Sequence, residues 1–193
     1  MMNRKVIFLD VDGVLNGTLW AGRRPTRSLL PPERAQQAFE EQRLDPDCVA
    51  RLCKLVTELD ASIVLSSTWR RRMDIPEFNK LLSLYGYGNP PVIGATPEVR
   101  DSTRSVTRGA EIAAWLGANG ADSTRYVCLD DDADYLPTQP LVQTNLDLGL
   151  QDADVAACRK ILAHVVTGEK RLLVRSALMK DAHVRLWPSG RSK

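Results

Sequence analysis

The segment "VIFLDVDGVLN", residues 6–16, runs four apolar residues directly into two aspartates and a glycine. A short, continuous apolar run of this kind is typical of a strand that is covered on both faces of a sheet. Asp10 and Asp12 follow this predicted strand at once, although like charges so close together repel each other. The rest of the chain must therefore explain why two acids stand at the end of a buried strand.

Short apolar runs and helical patterns alternate along the rest of the chain. We predict further strands over 62–65, 92–95, 126–129 and 141–144, and helices over 45–59, 76–84, 107–117 and 152–165. Strands that alternate with helices form parallel sheets with helices on both faces. The sequence therefore predicts an α/β fold with a Rossmann-like parallel sheet of about five strands.

Two segments do not follow this alternation. Residues 17–44 hold five arginines and three prolines, which predicts an insertion after the first strand, with a short helix over 32–42. Residues 168–193 hold seven lysines and arginines against two acidic residues. We predict one domain over 1–167 followed by a basic C-terminal extension, which could bind an acidic partner or simply be a solvated tail.

The composition is that of a soluble globular protein, with 44% hydrophobic and 26% charged residues and a net charge of +2. No apolar run approaches the roughly 20 residues of a membrane span, and the N-terminus lacks the longer apolar stretch of a signal peptide. None of the four cysteines forms a C-x-x-C pair. They are expected to be reduced thiols of a cytoplasmic protein.

Polar side chains follow three of the predicted strands. Asp10 and Asp12 follow the first, "SSTWR" (66–70) the second and "DDDADY" (130–135) the fourth. Ligands of parallel α/β sheets bind at the carboxyl ends of the strands, where these clusters would meet. Unit charges about 4 Å apart repel by about 4 kcal/mol at an effective dielectric constant of about 20, so the acids need a compensating charge.

A divalent cation with oxygen ligands supplies that charge, and Mg²⁺ commonly binds one or two carboxylates, waters and a substrate phosphate. Asp10 is placed to ligate the cation and to face a substrate. Asp12 would point its side chain the other way along the chain, free for proton transfer, while its backbone carbonyl can reach the metal. The sequence thus predicts a Mg²⁺ site with an acid–base group beside it.

These motifs resemble the haloacid dehalogenase (HAD) superfamily of phosphotransferases. "FLDVDGVLN" resembles its first motif, "IVLSS" the second and "YVCLDDD" the fourth, and Arg108 lies where the third motif has a lone Lys or Arg. A closer likeness, to the HAD domain of Swiss Army Knife RNA repair proteins, is carried by "DVDGVLN", "IVLSSTWR", "GATP", "RGAEIAAWL", "LDDDADY" and "LVQTNLDLGL". That subgroup is proposed to process nucleic-acid ends.

The resemblance implies a HAD fold and a Mg²⁺-dependent phosphohydrolase. In it, Asp10 attacks phosphorus to form an aspartyl-phosphate, and Asp12 protonates the leaving oxygen and later activates water. Ser66 would donate a hydrogen bond to the phosphoryl oxygens, with Ser67 or Thr68 as alternatives. Arg108 would neutralise the charge that develops there.

The same resemblance assigns the metal site to Asp130 and Asp131, together with Asp10 and the backbone carbonyl of Asp12. It also makes residues 17–44 a short cap that leaves the cleft partly open. An open cleft admits a polynucleotide end, along whose phosphates Arg23, Arg24, Arg27 and Arg70–Arg72 could lie. A nucleotide or small metabolite is the alternative substrate, and a non-catalytic module that works through its basic tail is a third hypothesis.

Several residues have more than one interpretation. Arg104 and Arg70 compete with Arg108 for the third motif. Asp134 could support the metal site or cap a helix, and Asn16 could orient the aspartate loop or only form a turn. Trp69 and Trp115 are interpreted as core residues rather than as surfaces on which bases stack.

Overall fold

The computed structural model describes residues 4–23, 43–99, 106–120 and 124–163, and the backbone of 184–185. The described residues form a six-stranded sheet. In spatial order its strands are β3 (Val92–Ala95), β2 (Ala61–Leu65), β1 (Arg4–Leu9), β4 (Thr124–Asp130), β5 (Leu141–Gln143) and β6 (Val184–Arg185). Strands β1 to β5 are parallel, which confirms the predicted fold class.

The sixth strand was not predicted. It lies in the basic extension and pairs antiparallel with β5, with Val142 opposite Val184. An added strand at this edge covers backbone groups of β5 that would otherwise be unpaired. Most of residues 168–193 lie outside the described residues, so the division into a main domain and an extension stays a prediction.

The five described helices are α1 (Thr18–Gly22), α2 (Pro46–Leu59), α3 (Ile75–Leu84), α4 (Arg108–Asn119) and α5 (Asp152–Ala163). Four of them, α2 to α5, begin and end close to the predicted positions. The side chain of Asp45 caps α2, that of Asp74 caps α3 in a capping box, and that of Thr107 caps α4. Helix α1, inside the insertion, was not predicted, and the helix predicted over 32–42 lies outside the described residues.

Apolar side chains cover both faces of the sheet, as the continuous apolar strands require. Ile7 and Leu9 of β1 face a cluster built with α2, α3 and α5, whereas Val6 and Phe8 face a cluster built with α4. Trp115 of α4 packs edge-on against Phe8, with 5.3 Å between ring centroids, which confirms it as a core residue.

All four cysteines are free thiols, as predicted. In the ranges that the structure describes, no helix is long and apolar enough to cross a membrane.

The order of the strands fixes where a ligand can bind. From β1 the chain moves outward through β2 to β3, then returns to the other side of β1 with β4 and continues to β5. The strand order therefore reverses between β1 and β4. In open α/β sheets the crevice beyond such a reversal, at the carboxyl ends of the strands, is the ligand site.

Candidate active site

Three aspartates converge at this crevice. Leu9, the last residue of β1, pairs in register with Leu129 of β4 and with Leu65 of β2. Asp10 therefore lies between Asp130 and Ser66, and its backbone N–H donates to the carbonyl of Leu129 (3.0 Å). The carboxylates of Asp10, Asp130 and Asp131 each present an oxygen within 4.8 Å of the others, so together they can hold a metal ion.

Gly13 allows the loop after β1 to approach these acids. Its φ is +72°, a conformation that favours glycine, and a Cβ added there would lie within 2.7 Å of the Asp131 Cβ. The carbonyl of Gly13 accepts a hydrogen bond from the buried hydroxyl of Thr144 (2.8 Å). A glycine is thus required where the loop passes Asp131.

The loop after β5, residues 144–150, holds the loop after β1 in place. Leu150 N donates to Val14 O (2.8 Å), and a Cβ on Gly17 would come within 2.8 Å of the backbone carbon of Asp147. The side chain of Asn145 accepts from the backbone N–H groups of its own turn, so this loop is itself well ordered by hydrogen bonds. The "LVQTNLDLGL" segment is therefore a support for the aspartate loop.

Both junctions of the insertion are fixed as well. At its start, Thr18 N donates to Leu146 O (3.0 Å) in the loop after β5. At its end, Asp45 N donates to Leu15 O (2.7 Å) in the loop after β1. The backbone on either side of the insertion is thus joined to the loops that carry the site.

Arg108 reaches the aspartates from the first turn of α4. Its Nη2 lies 3.4 Å from Asp10 Oδ1, and its Nε lies 3.7 Å from Asp130 Oδ2. The backbone N–H of Arg108 donates to Asp134 Oδ2 (2.9 Å), so of the two interpretations of Asp134 the structure shows the helix cap. The Arg108 guanidinium is the positive group that the described residues place beside Asp10.

The acids are crowded enough to change how they bind protons. Burial, with the neighbouring charge of Asp130, raises the pKa of Asp10 to about 8, although Arg108 and the hydroxyl of Ser67 lower it. Burial also raises the pKa of Asp130 to about 6, although a short hydrogen bond from the Tyr135 hydroxyl (2.5 Å) lowers that pKa. The pKa of Asp131 is raised by burial too. Three carboxylates beside a single guanidinium carry more negative charge than that group can neutralise. Such a cluster of oxygen ligands fits a hard divalent cation.

The side chain of Asp12 is hydrogen-bonded to residues outside this cluster. Its Oδ2 accepts a hydrogen bond from the indole Nε1 of Trp69 (2.8 Å), and its Oδ1 accepts one from Asn16 Nδ2 (2.7 Å). Asn16 Oδ1 in turn accepts from Gly13 N (3.2 Å), so Asn16 orients the aspartate loop. Asp12 is exposed and lines a pocket of about 580 Å³.

The two serines after β2 have different surroundings. Ser67 is hydrogen-bonded to Asp10 and accepts from the backbone N–H of Trp69 (3.4 Å), where it caps a short 3₁₀ helix over Thr68–Arg71. Ser66 is fully buried, and within the described ranges its hydroxyl has no hydrogen-bond partner. The buried hydroxyl of Thr96, at the end of the adjacent strand β3, has none either.

The prediction that Arg70 lies along a phosphate backbone is wrong. The Arg70 side chain is only 7% exposed, and its Nη2 pairs with Glu111 Oε1 at 2.6 Å. The Glu111 carboxylate is buried as well, and a buried charge must be paired with an opposite one. Arg71 is more exposed and pairs with Glu98 (2.9 Å), and Arg72 is exposed at the pocket. Arg24, Arg27 and Arg104 lie outside the described residues.

Three contacts of the site were missed in the sequence. They are the hydrogen bonds of Trp69 to Asp12 and of Tyr135 to Asp130, and the ion pair of Glu111 with Arg70. The sequence offers a hint of two of them. Tyr135 ends the "DDDADY" cluster, and Glu111 lies one helical turn after Arg108, so both are close to predicted site residues. Trp69 packs against the core as predicted, but its indole N–H bond has no sequence pattern that would reveal it.

One of three comparisons with known proteins identifies a family for this chain. The model of the family described as "HAD domain in Swiss Army Knife RNA repair proteins" matches residues 6–155, which hold every site residue discussed above. A search of curated proteins and a search of solved structures each found no match. The matched region covers the sheet from β1 to β5 and most of the helices around it. The chain therefore belongs to the family of HAD domains found in Swiss Army Knife RNA repair proteins.

Proposed function

We propose that this protein is a Mg²⁺-dependent phosphomonoesterase that works through an aspartyl-phosphate on Asp10. The observation that carries the proposal is the position of Asp10 between a guanidinium and two further carboxylates at a strand end. A phosphoryl group that reaches this nucleophile would meet positive charge from the guanidinium on one side and from a cation held by the carboxylates on the other. The family to which the chain belongs supports hydrolase chemistry.

The metal ligands in this proposal are Asp10, Asp130, Asp131 and the backbone carbonyl of Asp12. A bound Mg²⁺ would supply positive charge to the phosphoryl oxygens and to the crowded carboxylates. Tyr135, through its bond to Asp130 Oδ2, orients one of these ligands. Gly13 keeps the loop close enough for Asp131 to belong to the set.

Two displacements at phosphorus complete the proposed reaction. First, a carboxylate oxygen of Asp10 bonds to phosphorus, the ester P–O bond breaks, and the departing alcohol oxygen takes a proton from Asp12. Water then gives a proton to Asp12 and its oxygen bonds to phosphorus. The Asp10–phosphorus linkage breaks, which releases inorganic phosphate and restores the Asp10 carboxylate.

Ser66 and Arg108 are the proposed phosphate-binding residues. Arg108 already lies beside Asp10, where the phosphoryl group would arrive. The buried Ser66 hydroxyl has no partner in the described part of the chain, so it is available to donate a hydrogen bond to a phosphoryl oxygen. Ser67 is engaged with Asp10 and the 3₁₀ helix, so its proposed role is to orient the nucleophile.

The proposed substrate is a polynucleotide end, with a nucleotide or small phosphate as the second candidate. Among the described residues, the pocket beside Asp12 is lined by three arginines, Arg43, Arg71 and Arg72, of which Arg71 pairs with Glu98, and by one acid, Asp12. This excess of positive charge favours a substrate that carries further phosphates. The volume of about 580 Å³ lies in the range of small-molecule sites, which is what supports the second candidate.

Phosphate release from p-nitrophenyl phosphate tests the reaction. We expect Mg²⁺-dependent release that Asp10→Asn abolishes. Equal inertness of wild type and Asp10→Asn, across phosphomonoesters that include oligonucleotide ends, would refute the proposal.

Oligonucleotides test the substrate. We expect a 3′-phosphorylated oligonucleotide to be hydrolysed with a higher kcat/KM than the matching 3′-mononucleotide, and the preference to fall steeply with added salt. Arg72→Ala should reduce this preference, whereas Arg159→Ala, which removes an arginine that pairs with Glu58 away from the pocket, should not. A preference for the mononucleotide would favour the second candidate.

A further inference from the structure

We infer that Trp69 is a positioning residue, which holds the Asp12 carboxyl group at the wall of the pocket where the leaving group of the substrate binds. This inference rests on the proposed function, because it concerns how Asp12 delivers its proton. Its structural basis is the hydrogen bond of 2.8 Å from Trp69 Nε1 to Asp12 Oδ2.

The pocket is on the leaving-group side of the site. A general acid must come within about 2.6–3.2 Å of the oxygen that it protonates. The departing oxygen therefore lies next to Asp12, and the group attached to that oxygen extends into the space that Asp12 faces. That space is the pocket of about 580 Å³, and Trp69 and Asn16 line it beside Asp12.

Asp12 needs to be held, because its side chain is exposed and on a loop. One donor contacts each carboxyl oxygen, Trp69 at Oδ2 and Asn16 at Oδ1. A carboxylate offers about four acceptor positions, so two remain, and either can carry the proton that passes to the departing oxygen. The indole N–H donates only and cannot take up the transferred proton, so Trp69 orients Asp12 without exchanging a proton with it.

Trp69 is itself fixed on three sides. Its backbone N–H donates to Ser67 Oγ, its ring packs against the apolar core, and the guanidinium carbon of Arg43 lies 4.5 Å from the ring centroid. Ser67 also bonds to Asp10. The segment Ser67–Trp69 therefore contacts both the nucleophile and the acid.

The test is Trp69→Phe with two substrates that differ in their need for an acid. Nitrophenolate leaves without a proton, whereas the alkoxide of glycerol 2-phosphate does not. We expect kcat/KM for glycerol 2-phosphate to fall by about 30-fold or more, and that for p-nitrophenyl phosphate by less than about 3-fold. We compare kcat/KM because this ratio depends only on the steps up to formation of the aspartyl-phosphate. In those steps Asp12 acts as an acid, and it acts as a base only afterwards.

Trp115→Phe is the matched control, because it makes the same change in the core, away from Asp12. Thermal unfolding of both variants separates loss of folding from loss of positioning. If Trp69→Phe does not fold, Trp69→His, which keeps a ring N–H, replaces it and should retain most of the activity on glycerol 2-phosphate. Equal losses on both substrates, or no loss, would overturn the inference.

Indole ¹H–¹⁵N spectra test the contact without catalysis. The chain has four tryptophans, and the Trp69 signal is assigned by its absence in Trp69→Phe. Asp12→Ala should shift that signal by more than the signal of Trp115. An unmoved Trp69 signal would overturn the inference even if the protein is a phosphatase. A wild type that is inert on all substrates would instead refute the proposed function, and with it any part of Trp69 in catalysis.

Discussion

Arg70 and Glu111 form a buried ion pair, with Arg70 Nη2 2.6 Å from Glu111 Oε1 and the two side chains 7% and 9% exposed. Arg70 Nη1 also donates to the backbone carbonyl of Ser67 (2.7 Å). The pair thus joins α4, which carries Arg108, to the segment that carries Ser66 and Trp69. It is a structural connection inside the site rather than a surface for phosphate.

Arg70→Met should therefore be strongly destabilising. Removing one partner of a buried pair costs about 3–5 kcal/mol, and Glu111 would then depend on Arg108, whose Nη1 lies 4.0 Å from Glu111 Oε2. Urea unfolding measures this cost. Arg71→Met is the control, because Arg71 is 56% exposed and its pair with Glu98 is worth about 0–1 kcal/mol. Similar stabilities of the two variants would show that the buried pair is not essential.

Gly13→Ala should disrupt the metal site. The new Cβ would meet the Asp131 side chain, and the φ of +72° strains any L-residue, by about 1–2 kcal/mol for the backbone alone. We expect Mg²⁺ binding, measured by titration calorimetry, to weaken at least about tenfold. Gly22→Ala should bind Mg²⁺ like the wild type, since a Cβ there meets none of the described residues within 4 Å. Unchanged affinity in Gly13→Ala would contradict the assignment of Asp131.

The stability of the metal-free protein should fall as pH rises. The pKa of Asp10 is raised to about 8 in the folded protein, against 3.8 as the ordinary value, and that of Asp130 to about 6. Between the ordinary and folded values the unfolded chain binds fewer protons than the native state, so the free energy of unfolding decreases with pH. Thermal unfolding in EDTA between about pH 5 and about pH 8.5 measures this, and Asp10→Asn should flatten the dependence.

Added Mg²⁺ should reverse that loss. Metal ligands must be deprotonated, so Mg²⁺ should raise Tm more at about pH 8.5 than at about pH 5. Asp130→Asn should lose most of the increase. A Tm that does not respond to Mg²⁺ at either pH would mean that the three carboxylates do not form its site.

Ser66→Ala and Ser67→Ala should differ. Ser66→Ala removes a buried hydroxyl without a partner in the described structure, so stability should stay or rise while kcat/KM falls by about 100-fold. Ser67→Ala removes a bond that lowers the pKa of Asp10. In EDTA, the fall in stability of Ser67→Ala with rising pH should therefore extend to higher pH, which thermal unfolding measures. Identical stability profiles and equal losses of activity would mean that the two serines share one role.

The parallel sheet and the meeting of the acids follow from local patterns in the sequence. Four apolar residues ending in Asp10 define a buried strand and its carboxyl end, and the same pattern before Asp130 defines the neighbour. Helix N-caps could be predicted in the same way, since Asp45 and Thr107 each precede a helical pattern. These features depend on residues close together in the chain.

Contacts between residues far apart in the chain could not be predicted from the sequence. Trp69 and Asp12 are 57 residues apart, and Thr144 and Gly13 are 131 apart. A tryptophan or threonine in a sequence gives no sign of which carboxylate or carbonyl it will meet. Arg70 shows the same limit, because an arginine next to two others suggests a surface, and only the fold places Glu111 beside it.

The two fixed junctions of the insertion have a consequence for how such a protein can change. The chain departs near Thr18 and returns at Asp45, and backbone hydrogen bonds secure both places. The entropy of closing a loop rises only slowly with its length, so segments of quite different size can join the same two points. The segment between them can therefore change in length and sequence during evolution while the aspartates keep their arrangement.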